Sequence, residues 1–459
     1  MNGSDCLVLE TDSYKVSHWL QFPKGSEYAY YYIESRGGTD KLKFFGLQAI
    51  LKKILSYVPS GYTIDYAEKF WNTHGLPFNK EGWLQLRRLG YYPLEIKAVK
   101  EGGIYKPGQP LVTIENTDPR FFWLPGWIET RLLQLWYPTT VCSRSWKCKK
   151  VIKEFLQKTG DISGLPFKLH DFGYRGVSSQ ESAELGGMAH LVNFMGTDTV
   201  AGIFAAQEYY GNNDVYKFYQ QNGYPKGKLE EYFKDNMYGF SIPAAEHSTM
   251  TSWGIEGEKD AYENMLDRFA KPGSIVAVVS DSYDLKNAVE NIWGNELKQK
   301  VLDSGATIVI RPDSGEPKKI VVRTLKQLDR LFGSDINDKG YKVLNPAVRV
   351  IQGDGIGSDN DIREILEAVA NNGFSADNLA FGMGGGLLQQ VNRDTFKFAM
   401  KCSAIRVNGE WRDVCKKPAD APWKASKAGR FDNDPNLNVV WKDGKFIKEY
   451  TFNEVRENE

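Results

Sequence analysis

Short apolar segments that end in charged residues or glycine recur along the sequence and constrain its fold more than any other feature. The segment 307–310 is an example, because it is followed at once by Arg311 and Asp313. Segments of the same kind lie at 166–176, 196–202, 239–248, 275–284, 348–355 and 378–386. From Gly239 onward they begin roughly every thirty to forty residues, which leaves room for a helix between each pair. This alternation predicts a parallel sheet closed as a (β/α) barrel, with every polar strand end at one mouth.

The two ends of the chain do not share this alternation. Residues 28–36 resemble an aromatic strand. Helices are predicted at 47–55, 66–72, 80–88, 121–137 and 143–158. Two hairpins are predicted around Asn408-Gly409 and Asp443-Gly444, since Asn-Gly and Asp-Gly favour two-residue hairpin turns. The predicted division is an α+β segment, 1–165, that packs with the hairpins of 401–459, and a barrel domain, 166–400.

Composition excludes several classes of protein. Lysines and arginines number 58, as do the acidic residues, so a nucleic acid or an acidic membrane is not expected as partner. No apolar run is long enough to cross a membrane, and the N-terminus does not resemble a secretory signal. The five cysteines are scattered and the five histidines form no metal-binding motif, which argues against a disulfide framework or structural zinc. We therefore expect a cytoplasmic protein.

The polar residues at the strand ends have the composition of an active site. They combine carboxylates, arginines and a histidine, namely Asp171, Arg175, Asp198, His247, Asp281, Arg311, Asp313 and Asp354. Several carboxylates beside several arginines suggest a substrate with hydroxyl groups and more than one phosphate. A Schiff-base aldolase would need a lysine at an apolar strand end, and a glycosidase would leave the arginines unexplained.

Individual features of this mouth also allow simpler interpretations. The glycine turn 384–386 can direct backbone N–H groups at a phosphate, or can merely allow a tight chain reversal. Arg311 and Asp313 could do no more than pair with each other. His247 could be a hydrogen-bonded core residue rather than a group that transfers protons or accepts a phosphoryl group. Asp198 could cap the helix that follows it.

Motifs along nearly the whole chain resemble those of the nicotinamide phosphoribosyltransferases, which belong to the type II phosphoribosyltransferases. They include TDSYKVSH, FFGLQ, KLHDFGYRGVSSQES, GTDTVAG, PAAEHST, VVSDSYD, IRPDSG, RVIQGDG and AFGMGGGLLQ. The resemblance implies an irregular (β/α) barrel with an additional α+β domain formed by the N- and C-terminal segments, and a homodimer with composite active sites. It also implies the condensation of nicotinamide with 5-phosphoribosyl 1-pyrophosphate to nicotinamide mononucleotide and pyrophosphate, in NAD salvage.

Carried over residue by residue, the resemblance implies a role for each polar group. Phe172 and Tyr14 of the partner subunit would hold the pyridine ring between them, and Asp198 would accept a hydrogen bond from the carboxamide. The residues implied for the ribose and its 5′-phosphate are Arg311, Asp313, Gly353, Asp354, Gly385 and the partner subunit's Arg393. Those implied for pyrophosphate, with Mg²⁺ held mainly through it, are Arg175, Arg36, Lys401 and Lys424. Asp12 and Asp281 complete the predicted substrate-binding set.

The resemblance further implies that His247 becomes phosphorylated by ATP and so couples ATP hydrolysis to synthesis. The residues predicted to act in catalysis are His247, Arg311 and Asp313. A related enzyme that uses nicotinate or quinolinate is the nearest alternative. A non-catalytic dimer that binds nucleotides is an alternative from a different class of protein.

Overall fold

The computed structural model describes residues 7–211, 223, 228–420 and 425–458. They form two compact units. One comprises the described residues of Met1–Ser143, Ala206–Lys226 and Asn392–Glu459, and the other those of Arg144–Ala205 and Gly227–Val391. The first unit boundary lies inside the long helix Trp136–Thr159, whereas the predicted domain boundaries were at 165 and 400.

The first unit contains a seven-stranded antiparallel sheet that joins strands from both ends of the chain. Its strands are β1 (Ser26–Ser35), β3 (Leu94–Ala98), β5 (Pro110–Asn116), β14 (Phe398–Val407), β15 (Glu410–Asp413), β16 (Asn438–Lys442) and β17 (Lys445–Phe446). Their order across the sheet is β15-β14-β1-β5-β3-β16-β17. A separate short pair is formed by β2 (Leu42–Lys43) and β4 (Ile104–Tyr105).

Both predicted hairpins are confirmed in this sheet. Val407 pairs with Glu410 across Asn408-Gly409, and Lys442 pairs with Lys445 across Asp443-Gly444. The turn residues have positive φ angles, 52° and 83° in the first turn and 45° and 83° in the second. Such angles match the right-handed twist of the flanking strands, which is why Asn-Gly and Asp-Gly are favoured there.

The helices of the first unit cover one hydrophobic core rich in tryptophan. They are Leu47–Leu55, Gly61–Thr73, Lys80–Leu89, Leu124–Leu132 and Phe452–Glu457, with Val200–Tyr210 and Trp136–Thr159 crossing a unit boundary and a 3₁₀ helix at Ser13–Leu20. Trp83 and Trp127 meet edge to face with ring centroids 5.2 Å apart. Within the described residues, no helix is both long enough and apolar enough to span a membrane.

The second unit contains a six-stranded parallel sheet. Its strands are β6 (Leu169–Asp171), β7 (Gly196–Thr197), β8 (Ile275–Val279), β9 (Thr307–Arg311), β12 (Val348–Gln352) and β13 (Leu379–Met383). Their order is β7-β6-β13-β12-β9-β8. A separate antiparallel pair, β10 (Ser334–Ile336) and β11 (Lys342–Leu344), lies between β9 and β12 in the sequence.

Helices connect these strands, as the alternation predicts. They are Gln180–Leu191, Lys228–Asn236, His247–Thr251, Glu258–Phe269, Leu285–Asn287, a π-helix at Ala288–Glu296, Lys298–Asp303, Pro317–Phe332, Asp359–Asn371 and Gly385–Leu388. Pro317–Phe332 shows why they form: proline occupies the first helical position, and Val321, Leu325 and Leu328 recur at helical spacing and are buried.

The sheet is closed by an irregular segment rather than by a strand. The apolar pattern of 239–248 predicts a strand, and this prediction is wrong. Phe240 exchanges hydrogen bonds with Met195 and Thr197 beside β7, at 2.7 and 2.9 Å, whereas Ala245 donates to Ala277 of β8 at 2.9 Å. Pro243 lacks an N–H group, so a regular ladder cannot run through this stretch. The predicted irregular barrel, with an α+β domain from the two chain ends, is confirmed.

Candidate active site

A histidine and an aspartate form the first hydrogen-bonded pair at the strand ends. His247 is the first residue of the helix His247–Thr251, and Asp281 follows β8. Nε2 of His247 lies 3.0 Å from Oδ1 of Asp281. Oδ2 of Asp281 accepts hydrogen bonds from the Asp313 backbone N–H at 3.0 Å and from the Ser314 hydroxyl at 2.6 Å. The carboxylate is therefore held on both oxygens, and only 4% of its side chain is exposed, against 45% for His247.

Arg311 and Asp313 lie beside this pair, at the end of β9. Nη2 of Arg311 is 3.4 Å from Oδ2 of Asp313, so the simple pairing that the sequence allowed does occur. One donor of Arg311 is nevertheless unused, because its buried Nε has no hydrogen-bond partner among the described residues. Oδ2 of Asp313 is also 3.9 Å from Nδ1 of His247. The three side chains thus form one charged group that can face a substrate.

A second histidine–aspartate pair lies at the ends of β6 and β7. Nε2 of His170 is 3.1 Å from Oδ1 of Asp198, and the Ser241 hydroxyl donates to the same oxygen at 2.5 Å. Burial alone would raise the pKa of Asp198, but the hydrogen bonds from His170 and Ser241 and the charge of Arg311 hold it below its ordinary value. No backbone N–H of a described residue donates to this carboxylate, so Asp198 does not act as a helix cap.

Phe172 is held in a notch between two glycines. Its ring centroid lies 4.9 Å from that of His170, with the planes tilted by 45°. A Cβ atom on Gly382 would come within 2.0 Å of the Phe172 ring, and one on Gly353 within 3.3 Å. Any larger side chain at Gly382 would therefore displace the ring. Phe172 packs against the small apolar cluster inside the barrel, formed by Ala277, Val309 and Ile351 with Ala380.

Asp171 corrects one expectation for the barrel mouth. It is fully buried, because successive side chains of a strand point to opposite faces and it lies between His170 and Phe172. Burial raises the pKa of Asp171 to about 6, although the backbone N–H of Gly173 donates to its carboxylate at 2.7 Å. Asp171 therefore stabilises the turn at Gly173 through this hydrogen bond and is not exposed at the mouth.

The remaining predicted residues of this unit lie at the other strand ends. Arg175, in a 3₁₀ turn after β6, is exposed and pairs with Glu246 at 3.5 Å. Asp354 follows β12 and is exposed. Gly385 begins a helix of only four residues, so the helix dipole adds little to phosphate binding there. A Cβ on Gly176 would lie 3.5 Å from Cα of Gly385, so the two turns are adjacent.

The other unit contains a cluster of cations that includes further predicted residues. Arg36 pairs with Glu34 at 2.9 Å, and Lys15 pairs with Glu129 at 2.6 Å. Burial lowers the pKa of Lys401, and although Glu129 opposes this shift, the neighbouring positive charges of Arg36, Lys15 and Arg393 reinforce it. Mutually repelling cations of this kind suit a multiply charged anion.

Tyr14 and Asp12 lie next to these cations along the chain. Tyr14 has 60% of its surface exposed, and its ring lies 5.4 Å from Nζ of Lys15. The carboxylate of Asp12 accepts a hydrogen bond from Thr130 at 2.7 Å. Lys424, which was predicted to bind pyrophosphate, lies outside the described residues.

Two family models match this sequence. The model of the nicotinate phosphoribosyltransferase family matches residues 167–445, and that of the N-terminal domain of nicotinamide phosphoribosyltransferase matches residues 6–96. The chain belongs to the nicotinate phosphoribosyltransferase family. The resemblance identified from the sequence motifs is thereby confirmed.

Relatives within this family cover the whole chain. A nicotinamide phosphoribosyltransferase of Xanthomonas campestris pv. campestris (strain 8004) is 48% identical, over 99% of this chain and 98% of the relative. One from Acinetobacter baylyi is 30% identical, over 97% and 95%. Among solved structures, human nicotinic acid phosphoribosyltransferase aligns with a TM-score of 0.56 and 14% identity, over 98% of this chain and 92% of that one. At 14% identity, this structural similarity shows that the two proteins share a fold and nothing more.

The carboxylates at the mouth are compatible with a magnesium ion that is held mainly through substrate phosphates. Among the described residues, no group of three or more histidine, cysteine, aspartate or glutamate side chains could hold a metal. Mg²⁺ in phosphoryl chemistry is bound by one or two carboxylates together with substrate phosphates and water. Asp313 and Asp354 are carboxylates at this mouth, and the side chain of Asp354 has no hydrogen bond or ion pair within the described ranges.

Three residues of the site had no predicted role. They are His170 and Ser241, which bind Asp198, and Glu246, which binds Arg175. His170 lies in a motif that could have drawn attention to it. Ser241 and Glu246 lie in the irregular closing segment, where no hydrophobic period indicates which side chains face the mouth.

Proposed function

We infer that this protein transfers the phosphoribosyl group of 5-phosphoribosyl 1-pyrophosphate to nicotinamide, giving nicotinamide mononucleotide and pyrophosphate. The observation that carries this inference is the full-length match, at 48% identity, to a nicotinamide phosphoribosyltransferase. The enzyme is therefore a pentosyltransferase of NAD salvage.

We assign recognition of the pyridine ring to Phe172 and Asp198. The ring of Phe172 is a flat apolar surface, and its packing against Gly353 and Gly382 fixes the orientation of that surface. Oδ2 of Asp198 forms no hydrogen bond within the described residues, so it is available to accept one from the amide NH₂ group of nicotinamide. Holding the ring in one orientation keeps its nitrogen in line with C1 of the ribose, which supplies much of the rate acceleration.

We assign stabilisation of the reacting ribose to the charged group at the end of β9 and its neighbours. Departure of pyrophosphate leaves positive charge on the ribose ring, which the carboxylates of Asp313 and Asp354 would stabilise. Arg311 and the backbone at Gly353 would hold the hydroxyl groups, and Gly385 would approach the 5′-phosphate. The Nε of Arg311 supports this assignment because it is a buried donor that finds no acceptor among the residues that the structure describes.

We propose that pyrophosphate is bound by cations from two subunits. Arg175 would supply one of them, and Arg36, Lys401 and Lys424 would belong to the same composite site, with Arg393 of the partner subunit at the 5′-phosphate. Mg²⁺, held mainly through pyrophosphate, would neutralise the leaving group. The clustering of Arg36, Lys401 and Arg393 supports this role because Lys401 forms no ion pair within the described residues, although the charge of Glu129 acts on it.

We propose that His247 accepts a phosphoryl group from ATP. Asp281 occupies Nε2, so Nδ1 is the nitrogen left to attack. A bond would form between Nδ1 and the γ-phosphorus while the bond to the β-phosphate oxygen breaks and ADP leaves. Water would later take the phosphoryl group as inorganic phosphate and restore the imidazole. The buried, doubly anchored Asp281 supports this role because it fixes the ring and its tautomer.

A parallel assay of nicotinamide, nicotinate and quinolinate, each with 5-phosphoribosyl 1-pyrophosphate, tests the main inference. We expect mononucleotide product chiefly from nicotinamide. Turnover of nicotinate or quinolinate in its place would establish the alternative enzymes. Tight nucleotide binding without turnover of any of the three would establish the non-catalytic dimer.

A subunit-mixing experiment tests the proposed homodimer with composite sites. Tyr14→Ala and Arg311→Ala proteins, each inactive alone, are mixed under conditions of subunit exchange. Half of the dimers then combine one of each, and each of these has one intact site, so about a quarter of wild-type activity should return. No recovery, with heterodimers confirmed by mass, would mean that each site is built within one chain.

We also propose a cytoplasmic location. The cysteines that the structure describes, Cys142, Cys148, Cys402 and Cys415, form no disulfide bond with one another, and the first two are buried. Free thiols are typical of reducing compartments.

A further inference from the structure

Asp198 has one occupied and one available oxygen. Oδ1 receives both donors, Nε2 of His170 at 3.1 Å and the Ser241 hydroxyl at 2.5 Å. Oδ2 forms no hydrogen bond within the described part of the chain, and 45% of the side chain is exposed. The two donors therefore decide which oxygen a ligand meets.

His170 connects the two residues assigned to pyridine recognition. It binds Asp198 through Nε2, and its ring packs against Phe172 with centroids 4.9 Å apart. Gly196 allows this placement, since a Cβ there would lie 2.8 Å from Nδ1 of His170. Only 14% of the His170 side chain is exposed, and its Nδ1 forms no hydrogen bond with any residue that the structure describes. The ring is fixed, and Nδ1 is free to take a second proton.

We propose that His170 is a specificity-determining residue of this barrel. Its Nε2–H group holds Asp198 as an anion with Oδ2 turned towards the amide, and a second proton at Nδ1 cancels that charge and admits a carboxylate in place of the amide. The proposal rests on the role of Asp198 in the proposed function.

The charge of the pair provides the physical reason. With His170 neutral, the pair carries one negative charge, which favours an amide donor and repels the carboxylate of nicotinate. With His170 protonated, the pair is neutral and the repulsion falls. The preference for nicotinamide over nicotinate should therefore be smaller at acid pH, where imidazole groups gain a second proton, than at alkaline pH.

The effect of His170 on the substrate ratio must be distinguished from the effects of the other titratable and charged groups near it. Asp198 faces it from the turn after β7, and the buried Asp171 is adjacent on β6 with a pKa of about 6. Arg311 acts on Asp198 from β9 and stays charged at every relevant pH. A ratio of two competing substrates removes ionisations that affect both equally, such as that of His247. An Asp171→Asn variant removes the remaining ambiguity.

The experiment is a competition between nicotinamide and nicotinate, scored as the ratio of their kcat/KM values from about pH 5.5 to about pH 8.5, a range in which the carboxylates of Asp198 and of nicotinate are ionised. For the wild-type enzyme we expect the ratio to fall by about tenfold towards the acid end. His170→Gln retains an N–H donor at the level of Nε2 for Asp198 but cannot become charged, so its ratio should not change with pH. Asp171→Asn should retain the wild-type pH dependence.

Several results would overturn the proposal. A wild-type ratio that does not vary with pH would do so, as would a pH dependence that survives in His170→Gln. Loss of the dependence in Asp171→Asn would assign it to that residue instead. If Asp198→Asn leaves the ratio unchanged, the assignment of Asp198 itself fails. If Asp198→Asn changes it while His170→Gln behaves as wild type, only the role of His170 fails.

A second measurement needs no variant and so does not depend on how variants fold. If protonated His170 favours nicotinate, nicotinate must in turn favour protonation, by linkage. Titration calorimetry of the wild-type enzyme near neutral pH, in buffers of different ionisation enthalpy, should show proton uptake with nicotinate and none with nicotinamide. Equal proton uptake for the two ligands would overturn the proposal.

Discussion

The two histidine–aspartate pairs at the strand ends have opposite patterns of burial. In the pair of His247 and Asp281, the histidine is 45% exposed and the aspartate 4%. In the pair of His170 and Asp198, the histidine is 14% exposed and the aspartate 45%. The two pairs have similar N···O distances, 3.0 and 3.1 Å. They differ in which partner is free to meet a ligand.

This difference indicates that the two members of each pair have different roles. The buried member is the supporting residue, which fixes its partner, and the exposed member is the working group, which can meet a ligand. Oδ2 of Asp281 is anchored by the backbone N–H of Asp313 and the Ser314 hydroxyl, and Oδ1 binds Nε2 of His247, which leaves Nδ1 of His247 available. His170 is packed against Phe172, which leaves Oδ2 of Asp198 available. One chemical pair can thus present a nucleophile at one place and a hydrogen-bond acceptor at another.

The largest expected effect concerns His247 as the working group of its pair. His247→Ala should abolish an acid-labile, base-stable phosphate formed with ATP, because the phosphoryl acceptor is gone. Synthesis without ATP should remain measurable, since phosphoribosyl transfer needs no covalent enzyme intermediate. The measurement is labelling with γ-³²P-ATP beside the mononucleotide assay.

The supporting residue of that pair provides a graded control. Asp281→Asn should slow labelling by at least about tenfold, because the ring loses the partner that fixes its tautomer. Asp198→Asn, in the other pair, should label at the wild-type rate. Label that persists in His247→Ala would place the acceptor elsewhere and would remove the contrast between the pairs.

A smaller effect concerns Asp198 as the working group of the other pair. Asp198→Asn and Asp198→Ser should weaken nicotinamide and admit nicotinate. The ratio of their kcat/KM values should change by at least about tenfold, or about 1.4 kcal/mol, because the like-charge repulsion disappears. If the ratio stays constant in well-folded variants, the amide is recognised by a different residue.

The smallest expected effects concern two serines, Ser241, which donates to Asp198, and Ser314, which donates to Asp281. Ser241→Ala removes one hydrogen bond to Asp198, so the nicotinamide-to-nicotinate ratio should change by about two- to fivefold, or about 0.5–1 kcal/mol. Ser314→Ala removes one from Asp281 and should slow labelling of His247 without altering that ratio. Equal effects of both serines on the ratio would show that the pairs are coupled rather than separate.

Much of the barrel follows from local features of the sequence. Val276, Val278 and Ile308 are apolar in a short run because both faces of a parallel strand are buried, and this signal is visible without a structure. The Asn408-Gly409 turn is equally local, since positive φ angles are needed there. The segment 239–248 was mispredicted because its apolar residues resemble a strand, whereas Pro243 prevents one.

The sequence by itself determined which strands end in charged residues and, through its motifs, the family of the enzyme. Only the tertiary structure decided which partner of each pair is buried. That choice depends on contacts from other segments, such as Ser241 against Asp198 and Ser314 against Asp281. It also depends on strand alternation, which turns Asp171 away from the mouth while His170 and Phe172 contact each other. Exposure is a property of the assembled barrel, so no local pattern of residue types encodes it.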